Sequence, residues 1–232
     1  MDKIIKIAIL TVATGGYKSL LTDLIKSINE KFLTSYNKDI FVYSDEDIYS
    51  NRNTNIIFSK INHEKWPLVS LKRYEYFINS QKELLEYDYI FYFDCDLQVV
   101  KDINSFEFHD LFAVSHPEKL RYCPDLWDIE TNPVSTAYLD PNNIGHYVQG
   151  CFWGGRPSKI IKMITELKKN AEIDLEKNFI AKWFDESHLN KYFFDNKNIV
   201  SQVSSSYSYP ENWNLPIEKF IIHRDKNTTE LR

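Results

Sequence analysis

The run Tyr89–Phe93 is uninterrupted apolar sequence, and two acidic residues, Asp94 and Asp96, follow it at once. Aromatic and β-branched side chains in a short run are typical of a buried strand. Side chains two positions apart on a strand point the same way, so these two carboxylates would lie close together where the strand ends. Like charges beside an apolar core are unfavourable unless a cation holds them. The fold must therefore supply a cation there or leave both acids in solvent.

Strand-like and helical segments alternate along the first part of the chain. The predicted elements are strands at Lys3–Thr11, Asp39–Tyr43, Asn55–Ser59 and Tyr89–Phe93, and helices at Tyr17–Phe32 and from Val69 to about Glu86. This order predicts an α/β fold, a mixed and mostly parallel sheet flanked by helices. Ligands of such sheets collect at the carboxyl ends of strands, which is where Asp94 and Asp96 fall.

The second part of the chain is less regular. His116–His146 contains five prolines or glycines and is predicted to be a long functional loop. Further predicted elements are a strand within 146–155, helices at Pro157–Lys169 and Asp174–Phe194, and a turn-like segment at Ser201–Pro210. Because no repeat and no domain boundary is visible, we predict one catalytic domain over residues 1–232.

Composition excludes several classes of protein. A net charge of −5 argues against a nucleic-acid binder, which usually needs a basic face. The six glycines form neither a GxGxxG nor a GxxxxGK[ST] pattern, so the common dinucleotide and phosphate-loop fingerprints are absent.

The cysteines and the first residues bear on location. Cys95, Cys123 and Cys151 are odd in number and widely separated, which favours reduced thiols in the cytoplasm. The first apolar run is short and carries Lys3 and Lys6, so no integral membrane segment is expected. We predict a cytoplasmic protein, with peripheral association at the inner membrane face left open.

Two interpretations of Asp94 and Asp96 are open from the pattern alone. They are either solvated loop acids or ligands of Mn²⁺ or Mg²⁺, which prefer oxygen and keep positions open for substrate phosphates. Such an ion would neutralise a diphosphate leaving group. Because the chain has no glycine-rich phosphate loop, a metal-bridged diphosphate is the more natural way for it to bind one.

The segment WFDESHLNKY (183–192) also has two interpretations. It could be an ordinary helix start with Asp185 as N-cap, Glu186 in the first turn and His188 half buried. It could instead be a sugar site, because the Trp183 ring offers an apolar platform to a pyranose and carboxylates accept its hydroxyl hydrogen bonds. Carboxylates also stabilise an oxocarbenium-like anomeric carbon.

These segments together resemble glycosyltransferase family 6, which includes the histo-blood-group ABO transferases and α-1,3-galactosyltransferase. The matching segments, in order, are VATGGY (12–17), HEKWPLVSLKRYEYF (63–77), FYFDCD (91–96), ETNPVSTAYL (130–139), HYVQGCFWGG (146–155) and WFDESHLNKYFF (183–194). The resemblance implies a GT-A type nucleotide-sugar fold with a metal held by the D-x-D motif. It also implies retaining transfer of galactose or N-acetylgalactosamine from UDP to the 3-hydroxyl of a terminal galactoside, here by a soluble microbial member.

The resemblance further implies roles for single residues. Glu186 would be the catalytic glutamate, Asp94 and Asp96 the metal ligands, and His116 and Trp183 acceptor contacts. The implied donor and nucleotide contacts are Val12, Ala13, Tyr17, Val69, Arg73, Asp94, Gln149, Gly150, Cys151, Asp185, His188 and Lys226, with Arg224 beside the last as a second basic residue near the diphosphate.

The triplet Gln149, Gly150 and Cys151 aligns with the family's donor-selecting positions. Cys151 is larger than glycine or alanine, which favours galactose as the donor, whereas Gln149 could hydrogen-bond an acetamide. Val12 stands where the animal enzymes carry an aromatic residue, so its contact with uridine would be weaker.

The expected partners are a UDP-sugar and a galactoside-terminated oligosaccharide or glycolipid; the sequence does not predict an oligomeric state. A glycoside hydrolase, a carbohydrate-binding protein and a phosphoryl-transfer enzyme share some of these carboxylates or aromatics. None of the three matches the order of motifs along the chain.

Overall fold

The computed structural model of the protein describes residues 5–47, 55–226 and 231. Its strands are β1 (Lys6–Val12), β2 (Asn37–Ser44), β3 (Ile56–Lys60), β4 (Tyr89–Phe93), β5 (Leu97–Val99), β6 (Leu111–Ser115), β7 (Val148–Gly155), β8 (Ser201–Val203), β9 (Tyr209–Pro210) and β10 (Ile221–His223). Its α-helices are α1 (Lys18–Lys31), α2 (Leu68–Leu71), α3 (Arg73–Asn79), α4 (Gln81–Leu84), α5 (Pro157–Glu176) and α6 (Phe184–Asp195). Lys3, where the first strand was predicted to begin, lies outside the described residues.

Seven strands form the main sheet in the order β3-β2-β1-β4-β7-β6-β8. Neighbouring strands are parallel except where β7 pairs with β4 and with β6. This arrangement confirms the predicted α/β fold with a mixed, mostly parallel sheet. Because helices cover both faces, β4 is buried along its whole length, which is why its sequence is apolar without alternation.

Alternate residues of β1 pack into two separate layers of core. Ile7 and Ile9 lie in the layer that contains Leu24 of α1. Ala8 and Leu10 lie in the opposite layer, with Met163 of α5. The helical spacing of apolar residues in α1 and α5 gives each helix one face toward the sheet.

Three predicted helices are wrong in extent. The helix predicted at Pro157–Lys169 continues to Glu176. The helix from Val69 to about Glu86 is instead three short helices, with Lys72 and Ser80 at the junctions. Periodicity cannot distinguish this series from one helix, because each short piece buries the same side. The predicted helix at Asp174–Phe194 is interrupted after α5, where Asn178 takes the left-handed conformation (φ 54°) that often ends helices.

The segment predicted as turn-like, Ser201–Pro210, contains the strands β8 and β9. These strands, with β5 and β10, were not predicted because they have only two or three residues, too few to show periodicity. The five-residue β6 was not predicted either. The loop predicted at His116–His146 is confirmed, with two short 3₁₀ helices at Pro117–Leu120 and Pro124–Leu126.

A small second sheet brings distant sequence to the end of β4. It has the order β5-β10-β9, and β10 pairs antiparallel with β5, so that His223 lies opposite Leu97. His223 and Arg224 therefore lie directly beside Asp96. None of the helices in the ranges 5–47 and 55–226 is long and apolar enough to cross a membrane.

Candidate functional site

A cavity of about 370 Å³ lies at the carboxyl ends of β1 and β4. All of the predicted site residues except His188 and Arg224 line it: Val12, Ala13, Tyr17, Val69, Arg73, Asp94, Asp96, His116, Gln149, Gly150, Cys151, Trp183, Asp185, Glu186 and Lys226. The Arg224 side chain instead donates to Oδ2 of Asp23 at 2.9 Å, outside the cavity. The two acidic motifs, which lie about ninety residues apart in sequence, thus share one cavity, as expected for a sheet of this kind.

Arg73 of α3 joins the two acidic motifs. Its Nη1 lies 3.0 Å from Oδ1 of Asp94 and 3.3 Å from Oδ2 of Asp185. The guanidinium is buried and lies over the Tyr92 ring, 5.0 Å from its centroid, and the Tyr92 hydroxyl donates to the same Asp94 oxygen. Burial opposes ionisation of Asp94, but Arg73 and Tyr92 outweigh it and hold the pKa of Asp94 below its usual value.

Asp96 has a different set of basic partners. Its Oδ2 lies 3.2 Å from Nε2 of His223 and also contacts Nζ of Lys226. Burial lowers the pKa of His223, although Asp94 and Glu186 act against this shift. The two aspartates therefore do not rely on one shared cation among the described side chains; each carboxylate has its own basic partners.

The residues present fit a divalent ion in part. Oδ1 of Asp96 is buried and has no hydrogen-bond partner within the described ranges, and such an oxygen suits a hard cation. No three His, Cys, Asp or Glu side chains of the described residues form a ligand cluster. Water and substrate phosphate would have to complete the coordination, which is the usual arrangement for Mg²⁺.

Glu186 lies in the first turn of α6 and faces two groups of the cavity wall. Its Oε2 accepts a 2.8 Å hydrogen bond from the backbone N–H of Gly150, and its Oε1 lies 3.9 Å from Nε2 of His116. Desolvation raises the pKa of Glu186 to about 8, against the Gly150 hydrogen bond. Burial raises the pKa of neighbouring Asp185 to about 6, against the charge of Arg73.

Asn190 fixes α6 on β7, a function that the sequence did not predict. Its Oδ1 accepts from the Val148 N–H (2.8 Å), and its Nδ2 donates to the carbonyls of Val148 (2.9 Å) and Glu186 (3.1 Å). The buried carboxamide thus replaces a neighbouring strand along that part of β7. Asn190 lies four residues after Glu186 and therefore on the same side of the helix, and this spacing could have indicated that Asn190 lies near the site.

Aromatic rings also line the cavity. Trp183 is 44% exposed, and its indole N–H donates to Oδ2 of Asp128 at 2.9 Å. The His116 ring stacks on Tyr147 with 4.3 Å between centroids. Nδ1 of His116 accepts from the Glu118 N–H, and burial lowers the pKa of His116 to about 3, so the ring is neutral with its proton on Nε2, facing Glu186.

The predicted donor-selecting residues line the cavity from β7. Nε2 of Gln149 lies 3.1 Å from Nδ1 of His223, and Cys151 is buried. Burial raises the pKa of the Cys151 thiol, so it is a neutral, space-filling group. Lys226 lies over the Tyr17 ring, 5.4 Å from its centroid, and covers the adjoining wall.

His188 does not lie where the resemblance predicted, beside the diphosphate and metal. It is 1% exposed and does not line the cavity; its Nδ1 lies 3.4 Å from Oγ1 of Thr136 and its Nε2 3.8 Å from Oδ2 of Asp174. Residues two positions apart on a helix project about 200° apart around its axis. His188 therefore points away from Glu186 and toward α5. The structure gives it a packing position behind the site.

Several residues of the cavity were not predicted, among them Trp66, Asp128, Tyr147 and His223. The Trp66 ring packs edge-on against Phe184 at 4.3 Å, beside the mouth formed by Trp183. Trp66 and Tyr147 lie within segments that carried the family resemblance, so the sequence could have indicated that both lie near the site. His223 had none, because its strand was not predicted.

Comparison with known proteins agrees with this geometry. The family model described as Glycosyltransferase family 6 matches residues 2–230. The chain is 34% identical over 223 residues to O-antigen biosynthesis glycosyltransferase WbnI of Escherichia coli, covering 95% of this chain and 94% of that protein. It is 24% identical over 239 residues to globoside alpha-1,3-N-acetylgalactosaminyltransferase 1 of Gallus gallus, covering 97% and 69%.

A further relative is histo-blood group ABO system transferase 2 of Rattus norvegicus, 25% identical over 201 residues; the match covers 82% of this chain but only 60% of that protein. The fold and the acidic, aromatic cavity are those of a glycosyltransferase of the GT-A type, which takes a sugar from a nucleotide donor to a glycan acceptor. The chain belongs to glycosyltransferase family 6, as the sequence motifs predicted.

Proposed function

We propose that this protein is a retaining, UDP-sugar-dependent hexosyltransferase. It transfers galactose, or N-acetylgalactosamine, in α-1,3 linkage to a terminal galactoside, assisted by Mn²⁺ or Mg²⁺. The observation that carries the proposal is the bridge by Arg73 between Asp94 and Asp185, since it holds the D-x-D motif and the segment with Glu186 against one cavity. Residues 1–232 would act as one catalytic domain.

The donor would lie between the two acidic motifs. A divalent ion bound at Asp96 would stabilise the departing diphosphate as a Lewis acid. Lys226, now on Asp96, is near enough to the same region to contact a phosphate. Asp185 would accept hydrogen bonds from the sugar hydroxyls while Arg73 keeps it oriented and charged. Tyr17 and Val69, with Val12 and Ala13, would form the apolar surface for the uridine.

Glu186 would stabilise positive charge at the anomeric carbon. Its carboxylate is held by the Gly150 N–H, so little reorganisation is needed as that charge develops. The acceptor hydroxyl would enter on the side that UDP leaves, which retains the α configuration. Two routes meet this requirement, a covalent glycosyl–Glu186 intermediate or an ion pair, and trapping of an adduct on Glu186 would favour the first.

The acceptor would bind against the aromatic rings of the cavity. Trp183 is held by Asp128 and offers an exposed ring to the apolar face of a sugar. The Nε2–H of neutral His116 is available to an acceptor oxygen beside Glu186. The relatives' names support glycan acceptors, since they include an O-antigen transferase and globoside and blood-group transferases.

Galactose is the preferred donor in this proposal, because Cys151 occupies space that a 2-acetamido group would need. We further propose a cytoplasmic location, because the three cysteines are free thiols, as is usual in a reducing compartment. A lipid-linked acceptor would bring the protein to the inner face of the membrane.

The test is release of UDP from UDP-galactose and UDP-N-acetylgalactosamine with a panel of galactoside acceptors, with and without EDTA. We expect acceptor-dependent release that is faster with UDP-galactose, is abolished by EDTA and restored by Mn²⁺. An α-1,3 linkage in the product, identified by NMR, completes the result. Full activity in EDTA would remove the metal from the mechanism, and turnover of UDP-N-acetylgalactosamine alone would overturn the donor preference.

A further inference from the structure

Three side chains from distant parts of the chain meet at the inner end of the cavity. Asp96 follows β4, Gln149 lies on β7 and His223 lies on β10. His223 is the central member: its Nε2 lies 3.2 Å from Oδ2 of Asp96 and its Nδ1 lies 3.1 Å from Nε2 of Gln149. Pairing of β10 with β5 fixes this position, and the Arg224 N–H donates to the Asp96 carbonyl at 3.0 Å.

Two oxygen atoms of this trio lack the partner that their burial requires. Oδ1 of Asp96 and Oε1 of Gln149 are both buried, and neither has a hydrogen-bond partner among the residues that the structure describes. Buried polar atoms are nearly always satisfied, so the unpartnered Oδ1 of Asp96 indicates a missing ligand, and the unpartnered Oε1 of Gln149 bears on how its carboxamide is turned. The Asp96 side chain is only 2% exposed, and it lines the cavity.

The carboxamide of Gln149 can form a hydrogen bond with Nδ1 of His223 in either of two orientations. With its nitrogen toward Nδ1, the proton of the imidazole is on Nε2 and is donated to Asp96. With the amide turned over, Oε1 accepts a proton from Nδ1, and the lone pair of Nε2 then points toward Asp96. In the second arrangement the imidazole is prepared as a metal ligand, because a ligating histidine usually donates its other N–H to an oxygen.

We propose that Nε2 of His223 is a ligand of the divalent ion together with the carboxylate of Asp96, and that Gln149 orients the imidazole from behind. The inference rests on the proposed metal-assisted transfer and adds a nitrogen ligand to it. Oδ1 of Asp96 is available to the ion, whereas Oδ2 is shared with Lys226, which would compete for that atom. Asp94 contributes less to binding of the ion, because its Oδ1 already accepts hydrogen bonds from Arg73 and Tyr92.

This ligand set has a consequence for metal choice. Imidazole nitrogen suits transition metals, while Mg²⁺ prefers oxygen alone. We therefore expect tighter binding of Mn²⁺ and Co²⁺ than of Mg²⁺, and a preference for Mn²⁺ over Mg²⁺ that shrinks when the imidazole is removed.

The experiment is pulsed EPR of Mn²⁺ bound to the full chain with UDP, which detects a directly coordinated nitrogen and needs no turnover. We expect ¹⁴N modulation that changes to the ¹⁵N pattern when the protein is made with ¹⁵N-labelled histidine. The modulation should vanish in His223→Ala and persist in His109→Ala, whose histidine lies outside the cavity. In Mn²⁺ titrations, Gln149→Met should weaken binding about 10–100-fold, and His223→Ala by at least about tenfold.

The outcomes separate the two proposals. If Mn²⁺ binds without histidine nitrogen modulation and with unchanged affinity in His223→Ala, the nitrogen ligand is excluded while metal-assisted transfer stands. If the wild-type protein binds no Mn²⁺ with or without UDP, both the nitrogen ligand and the metal-assisted mechanism fall. Should His223→Ala not fold, the labelled wild-type protein and Gln149→Met still decide the question.

Discussion

Oε2 of Glu186 accepts a 2.8 Å hydrogen bond from the backbone N–H of Gly150. This contact joins the proposed catalytic glutamate to the strand that carries the proposed donor-selecting triplet. A Cβ at position 150 would lie 3.3 Å from Cβ of Glu186 and 3.5 Å from Oδ2 of Asp185, so a side chain there would press on α6. The glycine therefore lets helix and strand approach closely enough to hold the carboxylate in place.

Glu186→Gln keeps an oxygen that can accept from Gly150 but cannot ionise, whereas Glu186 must lose the proton that its raised pKa holds before it can stabilise a cationic sugar. We expect the fold to persist and kcat to fall about 10²–10³-fold or more, the usual effect of removing a group that stabilises developing charge. Steady-state UDP release measures this, with thermal melting as the check on folding. Activity within threefold of wild type would rule out a charged role for Glu186.

Glu186 also predicts a dependence of stability on pH. Its pKa in the folded protein, about 8, lies above the ordinary value of 4.5, so the folded state holds a proton that the unfolded state releases. The stability associated with this proton is complete below pH 4.5 and is lost as the pH rises through about 8. Asp185, raised to about 6, shifts stability in the same direction.

Glu186→Gln removes this contribution and leaves Asp185 and Asp94 in place. In EDTA, we expect Tm of the variant to match that of wild type near pH 5 and to exceed it at pH 8–9. A difference of about 1 kcal/mol corresponds to about 2–4 °C in a chain of this size. Calorimetry across that range checks the prediction, and a Tm difference that does not vary with pH would contradict it.

Arg73→Met leaves Asp94 and Asp185 without their shared cation. Breaking a buried ion pair by removing one partner costs about 3–5 kcal/mol, whereas the exposed Arg156, 3.8 Å from Asp110, is the matched control. Arg156→Met should cost less than about 1 kcal/mol. Urea unfolding of both variants measures the difference, and equal losses would show that the bridge has no special energetic role.

Trp183→Ala should impair acceptor binding and spare the donor. An aromatic platform contributes about 0.5–1.5 kcal/mol beyond its buried area, so KM for the acceptor should rise roughly two- to tenfold. Slow hydrolysis of the UDP-sugar without acceptor should not change. Trp213→Ala, outside the cavity, is the control for both measurements. A rise in the donor KM instead would assign Trp183 to the nucleotide sugar.

Cys151→Ala removes one sulfur atom from the proposed donor-selecting wall and so enlarges the cavity there. We expect kcat/KM for UDP-N-acetylgalactosamine to rise relative to UDP-galactose by about tenfold or more, since changes of this size in a pocket discriminate by about 1–3 kcal/mol. Cys123→Ala removes an exposed thiol and should leave the ratio unchanged. An unchanged ratio in Cys151→Ala would move donor selection to Gln149 or to residues not on β7.

Much of the site could be predicted from the sequence. The apolar run of β4 and the acids after it indicated both a buried strand and a site at its end. The segment 183–192 carried the resemblance that predicted Glu186, and every predicted site residue except His188 and Arg224 lines the cavity. His188 was misplaced because sequence proximity to Glu186 does not give the direction of a side chain around a helix.

The family, the central strands and the residue types of the site could all be read from the amino-acid sequence, because each depends on short patterns of neighbouring residues. Folding was needed to show that Arg73 bridges two motifs, that Asn190 ties α6 to β7 and that His223 contacts Asp96. Those contacts depend on how strands and helices far apart in the chain come together; the contact of His223 with Asp96, for example, spans 127 residues and requires the pairing of β10 with β5. Local periodicity contains no information on such pairings, because their free energy comes from burial that exists only once the sheet has formed.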